Sequence, residues 1–581
     1  MARRLMEPAV RNRWRRRLGL VAILLVAVGS GFVMQQPGWA QTSYYSLVRA
    51  LHGGTATIDH WHWETRDESW YRGHYYSVKS PVMPALVLPA YEVLAHRRAE
   101  KWAYRLALDA RLHHAWRWRP TATPQGLYGH NRLRTYHVRG RIEQSTPIIW
   151  ALGLIGNVLP ALVLMLLVGW AADRLEPGYG TVTAVTLGLG TLVLPFSTMF
   201  FSHVLAATLG FAGFALLMRE RDGPPRLWMV VVAGLLAGLA FATEYPLAFG
   251  GAVLGAYAIA RGDRLRRALG YAGGCVAGSL PLFAYNLAAF GSPLHFSYTD
   301  AVKRQGVSGH DLLGANDSGF FGIGLPSPRV ALELLFSAKG LFTLAPVLAL
   351  GVAGAVLLHR RGRRAEAWTI AGVAAVYLVY NSGYWLPYGG GTPGPRFLIP
   401  LLPFLALPLA LVWRRLPATT LALAVPSALF MATATLTVPL IGNDNVGFWW
   451  KLVDASNFAQ TIFTPLGAGH HWTGVAPVLA AMGAAVGAAA VASARLSRAA
   501  FDLRRASVAL LAWTATAIVA PWALGAEESA LGGDTGALRL VLIYAAAGLV
   551  TVGLAAGVGA WRSARREHID DKRAAPLAAE A

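Results

Sequence analysis

The sequence predicts an all-α polytopic membrane protein, and three observations predict it. Of its 581 residues, 55% are hydrophobic and only 14% charged, against roughly 25% charged in a soluble globular chain. The apolar residues fall in runs of about 17–25, the length at which a helix crosses hydrocarbon. Lys and Arg, which carry the net charge to +22, cluster in short segments between those runs, as cytoplasmic loops do. This patterning argues against nucleic acid as a partner, because no soluble domain is left to carry such a module. Cys275 is the one cysteine, so an intrachain disulfide and a cysteine-based zinc site are both excluded.

Taken in order, the apolar segments lie near 18–35, 146–170, 180–199, 202–218, 227–243, 245–260, 268–289, 340–358, 367–384, 397–413, 418–440, 474–493, 506–524 and 538–560. They predict a bundle of about 14 transmembrane helices. The first follows a basic stretch, 1–17, in which Arg3–Arg17 hold seven arginines. Pro37–Gln41 resembles a small-residue cleavage site. A retained signal anchor is the preferred reading of the first run, and a cleaved signal peptide is the alternative.

Placing 1–17 in the cytoplasm puts Ala171–Tyr179, Arg219–Arg226, Arg261–Arg267, His359–Glu366, Arg414–Pro417, Arg495–Arg505 and the tail 561–581 on the same side. Most of these are Arg-rich, which supports the orientation. The other side receives a large first loop, 36–148, and smaller loops near Gly291–Lys339, Tyr384–Arg396, Gly442–Gly474 and Ala526–Leu538. Within the large loop, Tyr44–His52 and Pro84–Leu94 are apolar but too short to span, and suit interfacial helices. No repeat or linker divides the chain, so 1–581 reads as one integral-membrane domain.

The densest chemistry follows the first span, from Asp59 through His60, His62, Asp67, Glu68, His74, Tyr75 and Tyr76 to Lys79. Ionisable groups held against a bilayer mark a site more often than not. Further polar sets fall at the same helix ends: Ser202-His203, Thr243-Glu244-Tyr245, Tyr285-Asn286, His295 to Tyr298, Lys339, and Tyr384 to Arg396. Each has a plainer reading. Glu244 would be a lone acid in a turn, His203 a structural histidine, Gly389–Gly391 a simple connection, and Asp67-Glu68 a solvated pair. The basic run Arg97–Arg119 suits an interfacial face attracted to anionic headgroups. The spacing of His60, His62 and His74 matches no zinc pattern, although a divalent cation stays open.

Acids, lysine and arginine converging at one bilayer face suit sugar transfer from a lipid-linked phosphate. A carboxylate takes the proton of an attacking hydroxyl, and cations stabilise the departing phosphate.

Three segments carry a family resemblance. Gly73-His-Tyr-Tyr-Ser-Val-Lys79-Ser-Pro81 resembles a G-x-Y-x-x-K-x-P segment of the GT-C class of integral-membrane glycosyltransferases. Within it, the similarity is to bacterial relatives of protein O-mannosyltransferases and aminoarabinose transferases, the family 39-like group. Tyr285–Pro293 and Gly394–Pro400 also resemble segments of such enzymes, and the resemblance covers about residues 20–415.

The resemblance implies a polyprenyl-phosphate sugar donor, inversion at the sugar, a lysine at the donor phosphate and a catalytic acid in the first loop. It also implies the bacterial inner membrane as location and membrane lipids as partners. The chain departs from the family where an Asp-Glu pair usually follows the first span: Gln41-Thr-Ser-Tyr44-Tyr45 stands there.

The expected assignments are therefore Asp59 as general base and Asp67 as its support. Lys79, Arg396 and Lys339 are expected to bind the donor phosphate, and His74, Tyr75, Tyr76, His203, Glu244 and Tyr298 to line the pocket. The acceptor is a lipid, glycan or protein. A membrane transporter or lipid flippase, and a non-catalytic scaffold in envelope assembly, are the rival readings.

Overall fold

The computed structural model describes residues 8–99, 101–103, 145–302, 322–441, 446–493, 502–524 and 535–578. The start of the basic N-terminus and most of Arg97–Arg119 lie outside the described residues. So do parts of the loops near Gly291–Lys339, Gly442–Gly474 and Ala526–Leu538, part of Arg495–Arg505, and the end of the tail.

The chain is mostly helical. Among the described residues, six helices are long and apolar enough to cross a membrane: Thr146–Leu175, Arg264–Phe290, Pro417–Leu436, Trp472–Ala492, Leu503–Ala523 and Thr535–Val558. Two bent pairs raise the number to 8 if each is one span. Pro328–Leu344 turns by 100° into Pro346–Arg360, and Arg396–Ala406 by 52° into Leu409–Arg415. Pro346 and Pro408 sit at the two breaks, where a ring without an N–H interrupts the helical ladder. The other expected spans are also helical, as Pro8–Gly31, Gly180–Gly190 with Val193–Thr198, His203–Arg221, Leu227–Thr243, Leu247–Ile259 and Arg364–Gly383. None of these meets the spanning measure by itself, so the figure of 14 stays an expectation.

The linkers read as cytoplasmic converge at one end of the bundle, tied together by ion pairs. Glu220, fully buried, accepts from Arg261 at 2.7 Å and Arg267 at 3.0 Å. Glu176 holds Arg361 at 2.5 Å and also Arg414. Asp222 joins Arg174 at 3.3 Å and Arg363 at 2.5 Å. Residues far apart in sequence are thus drawn into one layer of paired charge.

Leu227–Thr243 and Arg264–Phe290 lie backbone against backbone. Gly234 and Gly238 face Tyr271 and Cys275, while Gly274 and Gly278 face Val231 and Leu235; a Cβ on any of the four glycines would run into a main-chain atom of the other helix. Small residues four apart permit such close approach between apolar helices.

At the opposite end, Trp39–His52 and Val82–His96 form the helices of the first loop. The first was expected to lie in the interface. Instead it is buried from Ala40 to Ala50, because its polar side chains are used inside the protein. Arg49 pairs with Glu64 at 2.5 Å and stacks on Tyr45 and Trp61. Val82–His96 keeps Leu86 and Val93 exposed, as an interfacial helix would.

Between these helices, Glu68–Tyr71 and His74–Ser77 form an antiparallel hairpin pairing Glu68 with Ser77 and Tyr71 with His74. Its turn, Arg72-Gly73, has φ of 48° and 89°, the double positive-φ geometry that matches strand twist. A second small sheet pairs Val33–Met34 with Gln460–Thr461.

Candidate active site

Side chains from several regions meet around a cavity of about 410 Å³ at this second end. The hairpin leads into Val78-Lys79-Ser80, and the short connection Phe201–His203 starts the helix His203–Arg221. Glu244–Pro246 joins two apolar helices, Phe296–Tyr298 follows Arg264–Phe290, and Tyr384 to Phe397 closes the far side. The walls are largely aromatic, and the polar groups are few and specific, the usual makeup of a ligand site.

Arg396 occupies a distinctive place. Its guanidinium lies 5.2 Å from the ring centres of both Phe201 and Phe397. Its Nε is buried with no hydrogen-bond partner, and among the described residues it forms no ion pair. Gly389, at φ 87°, packs against the guanidinium, which would collide with a Cβ there. Phe201 is held in turn by Asn157, whose Nδ2 donates to the Phe201 carbonyl at 2.5 Å. Asn157 itself sits in a π-helical turn, Leu154–Val158, inside Thr146–Leu175, a device frequent beside functional sites.

Lys79 is the second cation of the cavity. Its Nζ pairs with Asp67 Oδ2 at 2.8 Å, with both side chains only partly exposed. Asp67 is fixed through its backbone, because Ser43 Oγ donates to its carbonyl at 2.5 Å and also bonds Ser77 Oγ at 2.7 Å. Gln41, at the position where the resembled family carries an acid, accepts from the Gly38 N–H at 2.6 Å and caps the helix start. Two residues on, Ser43 holds the backbone of Asp67, which immediately precedes the hairpin strand Glu68–Tyr71.

On the other wall, Glu244 is hydrogen-bonded by Ser202 and lies 3.4 Å from Tyr44 Oη, which also bonds Ser202. His203 Nδ1 lies 3.2 Å from Glu244 Oε1, and its Nε2 is buried with no hydrogen-bond partner. Burial raises the Glu244 carboxyl above its ordinary value, with Ser202, Lys79 and Arg396 pulling the other way. The arrangement places one buried carboxyl, one imidazole with an open nitrogen and two cations around one space, with a further carboxylate ion-paired to one of the cations.

The structure brings together Lys79, Arg396, His203, Glu244 and Tyr298 of the residues expected from sequence, with Asp67 joined to Lys79. It does not bring Asp59 to the lining. Asp59 accepts from His74 at 2.7 Å and from the Tyr75 N–H at 2.7 Å, clasping the outer side of the hairpin. Tyr75 stacks on His62 at 3.9 Å and Tyr76 packs on Phe290 at 4.8 Å, so both support the hairpin. Lys339 reaches the Ile441 carbonyl at 3.3 Å, away from this cavity. Sequence reasoning missed Tyr44 as a member, noted Ser202 only among the polar helix ends, and gave no signal for Phe201 and Phe397 as the seat of Arg396. Among the described residues, no three or more His, Cys, Asp or Glu side chains gather as a metal site.

No family model matches the chain, and no curated protein is similar to it. Among solved structures, ArnT from Cupriavidus metallidurans bound to undecaprenyl phosphate is similar over 83% of this chain and 77% of that chain, at 14% identity and a TM-score of 0.44. The Archaeoglobus fulgidus oligosaccharyltransferase in the apo form is similar over 90% of this chain and 60% of that chain, at 12% identity and a TM-score of 0.39. At these scores the likeness is loose, and the functional reading rests on the cavity itself.

Proposed function

We propose that the chain is a glycosyltransferase that moves a sugar from a polyprenyl-phosphate donor to a lipid, glycan or protein acceptor at the outer face of the bacterial inner membrane, with both termini cytoplasmic. The observation that carries this reading is Arg396, a cation in an aromatic cavity with no carboxylate paired to it, facing the same space as Lys79. The buried Nε of Arg396 lacks a hydrogen-bond partner, an unsatisfied donor of that kind is costly, and a phosphate entering the cavity would remove that cost. Arginine's planar fork suits phosphate oxygens, and lysine adds a point charge.

In this reading the acceptor hydroxyl attacks the anomeric carbon as the bond from that carbon to the phosphate oxygen breaks. The bonding pair leaves with the phosphate, whose growing charge Arg396 and Lys79 stabilise. The hydroxyl proton passes to a carboxylate. Asp67 is the base the geometry favours, since it lies against Lys79 and hence beside the leaving phosphate, whereas Asp59 is engaged in the hairpin clasp. A single displacement of this kind inverts the sugar. His203 and Glu244 would bind donor or acceptor hydroxyls through the open Nε2 and the Ser202–Tyr44 network.

The test is transfer from a panel of radiolabelled polyprenyl-phosphate sugars to a membrane-lipid extract by the purified full-length protein, beside Asp67→Asn and Asp59→Asn. Label should move from one donor, and Asp67→Asn should reduce transfer about 10²–10⁴-fold at near-native donor affinity. If Asp59→Asn alone shows that loss, the base is Asp59. Absence of donor binding by the native protein would overturn the transferase reading.

A further inference from the structure

A second cavity, of about 290 Å³, opens at the same end of the molecule. It is built where the first span, the end of Pro417–Leu436 and the loop after Gly447–Asp454 come together over the small sheet Val33–Met34 with Gln460–Thr461. Its lining contains no Asp, Glu, Lys or Arg, in contrast to the cavity of Arg396. What it presents instead is uncharged hydrogen-bonding capacity. Gln36, Asn457 and Gln460 face it, and among the described residues their side-chain amides make no hydrogen bond. His470 bonds the Phe458 carbonyl through Nδ1 at 3.1 Å, and its Nε2 is buried with no partner. Phe448 and Phe458 supply aromatic surface.

Buried polar groups in folded proteins nearly always find partners, and in this lining His470 Nε2 is the exception. Here several uncharged donors and acceptors surround one space beside aromatic rings. Each amide offers a donor and an acceptor in one plane, which matches neighbouring hydroxyls on a sugar ring. No charged side chain enters the lining, and the neighbouring Lys339 Nζ is taken up 3.3 Å from the Ile441 carbonyl, so the lining itself offers a phosphate no counter-ion. The size is at the lower end of ligand cavities, roughly 300 Å³.

No residue lines both cavities, but neighbouring segments connect them. Ile441 lines the second, and its carbonyl accepts from the Thr392 N–H at 3.1 Å, four residues before Arg396. Gly38 lines the second and Tyr44 the first; the helix between them rises about 9 Å over those six residues. Gln35 also donates to Thr435 O at 2.7 Å and Thr198 Oγ1 at 3.3 Å, bridging toward Phe201.

We propose that this second cavity binds an uncharged saccharide, and that it holds the glycan part of the acceptor while the acceptor's reacting hydroxyl lies by Lys79 and Asp67. The assignment to the acceptor rests on the transferase reading; the saccharide chemistry of the cavity does not.

The experiment uses the full-length protein in a detergent without a sugar headgroup. Maltotriose, mannotriose and chitotriose are titrated and followed by saturation-transfer NMR, and undecaprenyl phosphate is titrated separately. At least one trisaccharide should bind. Asn457→Leu and His470→Phe should each weaken that binding tenfold or more while leaving undecaprenyl phosphate unaffected. Gln36→Leu, which removes no internal hydrogen bond, should do the same at unchanged Tm. Arg396→Met should weaken only undecaprenyl phosphate.

If undecaprenyl phosphate binds and none of the trisaccharides does, the saccharide site is overturned and the transferase reading stands. Saccharide binding that survives all three substitutions would place it elsewhere and likewise overturn the proposal. Saccharide binding that is lost in the variants, with undecaprenyl phosphate bound by none of the proteins, would leave the site standing and remove its role as acceptor subsite.

Discussion

The arginines at the two ends of the bundle live under different rules. At the linker end, Arg261 and Arg267 share Glu220, and Arg361 and Arg414 share Glu176. At the cavity end, Arg396 has aromatic rings around it and, among the described residues, no acid at ion-pair distance, Glu244 acting on it only across the cavity. Paired guanidiniums hold linkers together, and removing one partner strands a buried charge. An unpaired guanidinium adds little to folding, and its value lies in what it can bind. Comparing the two ends therefore separates architecture from site without reference to any relative.

The sharpest way to break this comparison is Glu220→Ala. It strands Arg261 and Arg267 and should cost about 3–5 kcal/mol of stability, read as a large fall in Tm, while donor affinity of the folded fraction stays native. Next comes Arg396→Met. It should cut transfer about 10²–10³-fold, as loss of a charge-stabilising donor does, yet change stability by no more than about 1 kcal/mol, the scale of the cation–π contacts it forfeits. A large fall in Tm for this variant would make Arg396 structural after all.

Gly389→Ala tests the seat of the guanidinium. The left-handed backbone costs about 1–2 kcal/mol for a residue with a Cβ, and the methyl displaces Arg396, so donor affinity should fall along with Tm. Alanine tolerated on both counts would show that the arginine needs no such cradle.

The smallest effect is one of pH. The folded-state value of Glu244 is raised by burial, so its contribution to stability is fully present below the ordinary carboxylate range and is lost as pH rises through the raised value. Glu244→Gln, which mimics the protonated form, should be flat over that window. The wild type should therefore lose Tm relative to the variant as pH rises. Parallel Tm curves would place Glu244 in ordinary titration.

Much of this was legible in the residues. Apolar runs gave the helices, and arginine-rich linkers gave the end they share. Lys79, Arg396, His203 and Glu244 could be found because each is polar beside an apolar run, and Tyr298 because it falls in the polar loop that follows one. Asp59 could not be told from Asp67 by sequence. Both flank the same hairpin, whose strands alternate their faces, and only the fold shows that Ser43 draws Asp67 inward while His74 engages Asp59 outside. Lys339 misled for a related reason: its partner Ile441 is 102 residues away, beyond any local pattern. The seat of Arg396 was invisible because phenylalanines in an apolar chain carry no signal until the chain is folded.

One last consequence follows from the four glycines between Leu227–Thr243 and Arg264–Phe290. With main chain touching main chain, neither helix can slide by rearranging rotamers, and their relative height is fixed as by a ruler. Glu244 caps the end of one helix, and Tyr298 follows the end of the other. The depth of the two cavity walls relative to each other is thus set at mid-helix, away from the site, by spacing alone. A bulky residue at Gly274 or Gly278 would retune the reach of the site while leaving every side chain in it unchanged.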